Sequence, residues 1–174
     1  MKAINNYILE KRKNFVREYN KEKTLDLQNL QDALSEELSK KDFSCFIENT
    51  DDKIKLDITR NLKEGIMGHI IEDIVASTIE KLNLDFSVKA VKKDGADLII
   101  NGEPVEVKAF NKVVRNDGYV EKGISFTDEQ MKKEGCAMIL VHYIIDETIK
   151  VDKVYCRYPD EVLWGDKNIT NLNK

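Results

Sequence analysis

Apolar residues recur at helical spacing along the first 42 residues of the chain. Residues 2–19 carry one such series, and a second begins after Thr24 with a row of leucines, namely Leu25, Leu27, Leu30, Leu34 and Leu38. Both patterns are typical of amphipathic helices. They predict an N-terminal helical segment over residues 1–42, which would serve either as a dimerisation arm or as a packed surface hairpin. Residues 43–60 are interpreted as a connecting segment with a short strand at 54–58.

The most regular helical pattern covers residues 62–82. It predicts a long helix whose buried face is formed by Leu62, Ile66, Ile70, Ile74, Val75, Ile79 and Leu82. Gly65 and Gly68 lie inside this helix, where each glycine costs roughly 1 kcal/mol of stability relative to alanine. Their presence predicts that another backbone packs closely against the helix.

The period of the apolar pattern changes to two after residue 85. This alternation predicts three strands, at residues 86–90, 98–100 and 105–110. Between the last two strands stand Asn101 and Gly102, the preferred pair for a two-residue type I′ hairpin turn. Such a turn fixes the register, because it pairs Ile100 with Glu103, Ile99 with Pro104, Leu98 with Val105, and Asp97 with Glu106.

The remainder of the chain predicts further strands and one helix. Residues 111–123 are interpreted as a loop, and residues 127–134 as a short helix. Residues 137–145 are almost continuously apolar, which is typical of a strand buried on both faces, and residues 149–158 are predicted to pair with it. The order of these elements indicates an α/β domain over residues 43–174, built on a mixed β-sheet flanked by helices.

The predicted hairpin brings three charged side chains to one of its faces. Asp97 and Glu106 would form a non-hydrogen-bonded pair with Cα atoms roughly 4.5 Å apart, and Lys108 would project from the same face. Facing carboxylates on adjacent strands are unfavourable unless a cation lies between them, and their hard oxygens suit Mg²⁺. With the lysine positioning a water molecule, the group would hydrolyse phosphodiester bonds. The same residues also fit an ordinary surface hairpin in which a glutamate pairs with a lysine.

Composition and charge narrow the possible functions. The chain has 174 residues, and its 28 Lys and Arg against 32 Asp and Glu give a formal net charge of −4. This balance argues against a protein that coats nucleic acid by bulk charge, but it leaves room for a cleft with focused charge. Three scattered cysteines and two histidines match neither a disulfide framework nor a zinc site. Without a secretory signal or an apolar run of about 20 residues, we expect a cytoplasmic protein with no membrane span.

The residues around the hairpin resemble a known nuclease signature. Asp97 with Glu106-Val107-Lys108, preceded by Gly68-His69-Ile70-Ile71-Glu72 on the long helix, is similar to the motif of the PD-(D/E)xK superfamily. Residues 94–108, 123–127 and 154–159 resemble the small PvuII-like type II restriction endonucleases, whose relatives include an enzyme that cuts GC-N-GC. The resemblance implies a restriction-endonuclease-like core. It also implies Mg²⁺-dependent, sequence-specific hydrolysis of double-stranded DNA that leaves 5′-phosphate ends.

The resemblance implies a role for individual residues. Asp97 and Glu106 would ligate Mg²⁺ together with the backbone carbonyl of Val107, Lys108 would orient the attacking water, and Glu72 is a candidate accessory acid. Base reading is implied for the start of the helix after residue 126, at Thr127, Asp128, Glu129 and Gln130. Phosphate contacts are implied for Lys112, Arg115, Lys122, Lys132 and Lys133. The first of these groups equally fits the N-cap of a helix, and the second fits an ordinary solvated surface.

The resemblance also implies partners. Double-stranded DNA is the expected substrate, a homodimer is expected because two-fold symmetric sites require two-fold symmetric proteins, and a cognate DNA methyltransferase is the expected genetic partner. Two alternatives stay open. One is a structure-specific nuclease similar to junction resolvases, against which the acidic balance argues, and the other is a non-catalytic DNA-binding or assembly module on the same fold.

Overall fold

A computed structural model of the chain describes the following residues: 23–40, 42–43, 46–49, 54–57, 64–81, 88–89, 96–127, 136–145, 148–165 and 167–173. The helix predicted for residues 2–19 lies outside this part of the chain. So does the predicted helix at 127–134, apart from Thr127 itself. Among the described residues, no helix combines the length and the hydrophobicity that crossing a bilayer requires.

The first described helix, α1, spans Leu27–Ser39 and begins at an aspartate cap. The carboxylate of Asp26 accepts a hydrogen bond from the backbone N–H of Asn29 at 3.1 Å, which satisfies one of the unpaired donors at the helix start. The predicted leucine row is buried, at Leu27, Leu30, Leu34 and Leu38. These leucines pack into a cluster that includes residues of the β-sheet, so the helix belongs to the core of the chain's own domain.

The second helix, α2, spans Glu64–Lys81 and confirms the predicted long helix, but its buried face differs from the prediction. The buried residues are Met67, Ile71, Val75 and Ile79, of which Val75 and Ile79 were predicted. Ile70 and Ile74 are half-buried against the same cluster, and Leu62 and Leu82 lie outside the described residues. Ile66, predicted to be buried, is 49% exposed. Two apolar series run along this helix one residue apart, at positions 66, 70 and 74 and at positions 67, 71 and 75. The second series faces the sheet.

Within the described residues, three sheets are formed by the strands β1 (Asp42–Phe43), β2 (Phe46–Asn49), β3 (Ile54–Asp57), β4 (Val88–Lys89), β5 (Leu98–Ile100), β6 (Glu103–Phe110), β7 (Tyr119–Ser125), β8 (Ala137–Ile145), β9 (Ile149–Arg157), β10 (Leu163–Trp164) and β11 (Asn168–Asn171). The main sheet has the order β1-β9-β8-β6-β5-β4. A second sheet has the order β10-β11-β7, and β2 pairs with β3 alone. In the stretch interpreted as a connecting segment, the predicted strand is confirmed as β3, β2 was not predicted, and β1 crosses the start of the stretch.

The main sheet is mixed and is packed on both faces. Strand β6 runs parallel to β8, whereas β5 and β9 pair antiparallel with β6 and β8 respectively. Strand β8 is buried from Ala137 to Tyr143, as its continuous apolar pattern predicted. Helices α1 and α2 cover one face of this sheet. The other face carries a second apolar cluster, formed by Phe110, Val120, Ile124, Phe126, Met138, Leu140, Val162, Ile169 and Leu172.

Strand β7 and its partner β11 cover the second face and were not predicted. The loop prediction for residues 111–123 is wrong from Tyr119 onwards, where β7 begins. Lys122 and Gly123 both have a φ of 61°, a left-handed conformation that interrupts the strand. Val120, Ile124 and Phe126 share the buried face, but the charged residue Lys122 stands between Val120 and Ile124 on that alternation, so the sequence shows only an interrupted period-two pattern.

Candidate active site

The turn between β5 and β6 has the predicted geometry. Asn101 and Gly102 have φ angles of 51° and 82°, the left-handed conformation that a type I′ turn requires at both central positions. The structure pairs Ile100 with Glu103, Ile99 with Pro104, and Leu98 with Val105, which confirms the predicted register for these three pairs. The ring nitrogen of Pro104 falls at a non-hydrogen-bonded position, where the ladder needs no N–H.

Asp97 lies one residue before β5, beside the backbone of β6. Its Oδ2 atom accepts a hydrogen bond from the N–H of Val107 at 2.8 Å. In an antiparallel ladder the N–H and C=O of one residue point to the same side of the strand. The carbonyl of Val107 therefore faces the same side of β6 as its N–H, so two of the predicted metal ligands lie along the side of β6 that faces β5.

Glu106 and Lys108 share the face of β6 that the second sheet covers. Their Cα partners on β8 are Met138 and Leu140, both part of the second apolar cluster. Glu106 is only 4% exposed. Burying a carboxylate among apolar side chains is costly unless hydrogen bonds or an opposite charge compensate it. The positions of these two residues thus put an acid and an ammonium group, two residues apart, on one partly enclosed face.

A cleft of about 470 Å³ opens along the edge of β6. Its walls are Gly68 and Glu72 of α2, residues 107–112, residues 124–127 and Tyr143. Among the described residues, β5 pairs with β6 only at residues 103–105, so the edge of β6 beyond them faces this cleft. The cleft lies at the carboxyl end of β6, a position where α/β sheets commonly bind their ligands.

Of the predicted hairpin residues, Val107 and Lys108 line the cleft, whereas Asp97 and Glu106 are not part of its walls. Several of the other predicted residues do line it. Glu72 lines it, and its carboxylate lies 3.2 Å from Nδ1 of His69. Lys112 and Thr127 also line it. The remaining predicted DNA contacts are elsewhere or undescribed: Arg115 pairs with Glu121 at 3.3 Å, Lys122 is exposed on β7, and Asp128, Glu129, Gln130, Lys132 and Lys133 lie outside the described residues.

One expectation about the helical wall is wrong. A Cβ built on Gly68 would meet nothing within 4 Å, so no backbone in the described part of the chain approaches this glycine closely. Its position in the cleft wall instead leaves the space in front of α2 open. The surroundings of Gly65 lie outside the described side chains.

The sequence did not single out Phe126, which also lines the cleft. Nζ of Lys108 lies over its ring, 5.3 Å from the centroid. Phe126 is 8% exposed, and its ring centroid is 5.2 Å from that of Trp164. The alternation of Ile124 and Phe126 would have indicated this shared face if β7 had been recognised as a strand.

The predicted ligands suit a magnesium ion chemically. They are two carboxylates and one backbone carbonyl, all hard oxygen donors of the kind that Mg²⁺ prefers. In the described part of the chain, no three side chains of His, Cys, Asp or Glu gather as a possible metal site. The predicted set requires only two such side chains, Asp97 and Glu106.

Comparisons with known proteins bear on the fold. No family model matches the chain, and no curated protein matches it. Among solved structures, NlaIV restriction endonuclease is similar, with a TM-score of 0.51 and 18% sequence identity over 79% of this chain. The matched part spans 59% of that protein, about three fifths of its length. The similarity shows a restriction-endonuclease-like fold, which confirms the predicted fold class.

Proposed function

We propose that the chain is a type II restriction endonuclease of the PD-(D/E)xK superfamily, PvuII-like, which hydrolyses double-stranded DNA at a specific sequence with Mg²⁺. The observation that carries the proposal is the hairpin geometry. The type I′ turn sets Asp97 against the backbone of Val107, and Glu106 and Lys108 share one face of β6. The similarity in fold to a protein named as a restriction endonuclease supports the proposal.

The proposed chemistry assigns one task to each side chain. Asp97, Glu106 and the carbonyl of Val107 hold the metal ion, which when bound supplies the charge that polarises the phosphodiester and activates water. Lys108 donates a hydrogen bond to the attacking water and offsets negative charge that develops on the phosphate. Glu72 accepts a hydrogen bond from water at the opposite wall of the cleft. The bond that breaks is the one between phosphorus and O3′, which leaves 5′-phosphate and 3′-hydroxyl ends.

The cleft is the proposed DNA site. Lys112 lies in its wall, where an ammonium group can contact a backbone phosphate, and Thr127 lies where the proposed base-reading segment begins. One cleft cleaves one strand, so cutting both strands of a palindrome requires two copies of the chain related by two-fold symmetry. A cytoplasmic enzyme of this kind requires a cognate methyltransferase that protects the same sequence in the host DNA.

The decisive experiment is digestion of DNA of known sequence by the purified chain. With Mg²⁺ we expect discrete fragments, whose mapped ends give the recognition sequence and the cut position, and with EDTA we expect none. Lys108→Ala, Asp97→Ala and Glu106→Ala should each lower the cleavage rate by about 100-fold or more. Lys153→Ala removes an exposed lysine on β9 and should leave the rate unchanged.

The alternatives give different results in the same assay. Cleavage of branched DNA alone would indicate a nuclease similar to junction resolvases. DNA binding without cleavage would indicate a non-catalytic module. If the three alanine variants cut as fast as the wild type, the assignment of the active site is wrong.

A further inference from the structure

The contact between Lys108 and Phe126 places the proposed catalytic ammonium group on an aromatic support. Nζ of Lys108 lies 5.3 Å from the centroid of the Phe126 ring. This distance is within the range of about 6 Å in which the negative face of an aromatic ring attracts a cation. Both residues line the same cleft, so the ring contacts the lysine at the position where a substrate phosphate would arrive.

Phe126 is itself held by the C-terminal part of the chain. Its backbone N–H donates to the carbonyl of Lys167 at 2.8 Å. Its ring lies against Trp164 at an interplanar angle of 59°, and Nε1 of Trp164 donates to the carbonyl of Pro159 at 2.8 Å. Because both its backbone and its ring are anchored, the position of Phe126 depends on Lys167 and on Trp164, which is itself held by Pro159.

We propose that Phe126 is a positioning residue, whose ring fixes the ammonium group of Lys108 for its task of orienting the attacking water. The inference rests on the proposed function for that task. A lysine side chain has many rotamers, and ordering it lowers its entropy. The ring offsets this cost by attracting the ammonium group in one place, so that the lysine is ordered before DNA binds.

Two substitutions at Phe126 distinguish an effect of the aromatic ring from an effect of side-chain volume. Phe126→Leu keeps an apolar side chain but removes the ring, and Phe126→Tyr keeps the ring face. Val162→Ala serves as a control for lost packing, because Val162 is 3% exposed in the same apolar cluster and is absent from the walls of the cleft. If Phe126→Leu folds poorly, Trp164→Phe is a milder alternative, because it replaces the side chain that packs against the Phe126 ring by a smaller one.

The first measurement needs neither metal nor DNA. Residue-resolved labelling of amines, read by mass spectrometry, should show a severalfold faster reaction of Lys108 in Phe126→Leu. Lys112, which lines the same cleft two residues beyond the end of β6, should react at an unchanged rate. Phe126→Tyr and Val162→Ala should both leave the labelling of Lys108 as in the wild type, and Trp164→Phe should raise it by a smaller factor.

The second measurement is cleavage under single-turnover conditions at saturating DNA. Phe126→Leu should lower the rate about tenfold, as expected when a cation–π contact is lost, while DNA affinity measured with Ca²⁺ stays the same. Phe126→Tyr should restore most of the rate. If the labelling of Lys108 is unchanged in Phe126→Leu, the inference about Phe126 is wrong. The proposed function still stands in that case if the wild type cuts DNA. If the wild type cuts no DNA, the proposed function fails, and the catalytic part of the inference fails with it.

Discussion

The same substitution at two glycines should change stability in opposite directions. A Cβ added at Gly68 or at Gly102 would meet nothing within 4 Å, so neither replacement by alanine creates a clash. The two positions differ only in backbone conformation and place in the fold. Gly68 lies inside helix α2, and Gly102 has a φ of 82° in the turn before β6.

The magnitudes follow from these conformations. In a helix interior, alanine is about 1 kcal/mol more favourable than glycine, so Gly68→Ala should raise the free energy of unfolding by about that amount. A residue with a Cβ in the left-handed region loses roughly 1–2 kcal/mol, so Gly102→Ala should lower it correspondingly. For a chain of this size, each kcal/mol shifts the Tm by about 2–4 °C. The two variants should therefore differ by roughly 2–3 kcal/mol.

Urea unfolding followed by circular dichroism measures both changes, and thermal unfolding checks their sign. If the m-value, the slope of the free energy of unfolding against urea concentration, is the same in both variants, they differ only in stability. If Gly102→Ala is neutral or stabilising, the type I′ turn is not the conformation in solution, and the register that positions Asp97 loses its basis. If Gly68→Ala is destabilising, another group occupies the space in front of α2.

Three further predictions concern the rest of the described chain. Asp26→Ala removes the cap on the N–H of Asn29 and should lower the free energy of unfolding by about 1 kcal/mol, measured by urea unfolding. Burial raises the pKa of the Cys156 thiol to about 12, so peptide mapping should show almost no reaction of this residue with iodoacetamide at pH 8 in the folded protein. Burial also raises the pKa of Tyr158 to about 12 from 10.0, which means that folding favours its neutral form; stability should be full below pH 10 and fall between pH 10 and 12. Tyr158→Phe should reduce that loss at high pH, although it removes the hydrogen bond that the tyrosine oxygen accepts from the N–H of Leu25 at 3.2 Å and so costs about 1 kcal/mol at neutral pH.

Local patterns in the sequence were sufficient for the parts of the fold that local chemistry determines. The turn at Asn101 and Gly102 follows from the left-handed conformation that these two residue types tolerate, and the register follows from the turn. The leucine row of α1 and the continuous apolar run of β8 were also predicted correctly, because the leucines of α1 are buried together and β8 is buried on both faces from Ala137 to Tyr143. The site residues on the hairpin depend on this same register.

Features that depend on distant contacts could not be predicted. Helix α2 has two adjacent apolar stripes, and only its contact with the sheet shows that Met67 and Ile71 are buried while Ile66 is exposed. The support of Lys108 by Phe126 depends on the return of the chain at Trp164, which lies 38 residues after Phe126 and 62 residues after Gly102 of the hairpin turn. Neither contact produces a hydrophobic periodicity in the sequence from which it could be predicted.

The second sheet packs on the face of β6 that carries Glu106 and Lys108, and this packing affects metal binding at the proposed site. Strands β7 and β11 bury the face that carries Glu106, which is 4% exposed, although none of the predicted ligands lies on these strands. Charges interact more strongly where water is excluded, because the effective dielectric constant falls and salt screens less. A carboxylate from which water is largely excluded therefore attracts a divalent cation more strongly than the same group on an open hairpin. By this reasoning the C-terminal strands contribute to the proposed site in two ways: they exclude water around Glu106, and they hold the ring that supports Lys108.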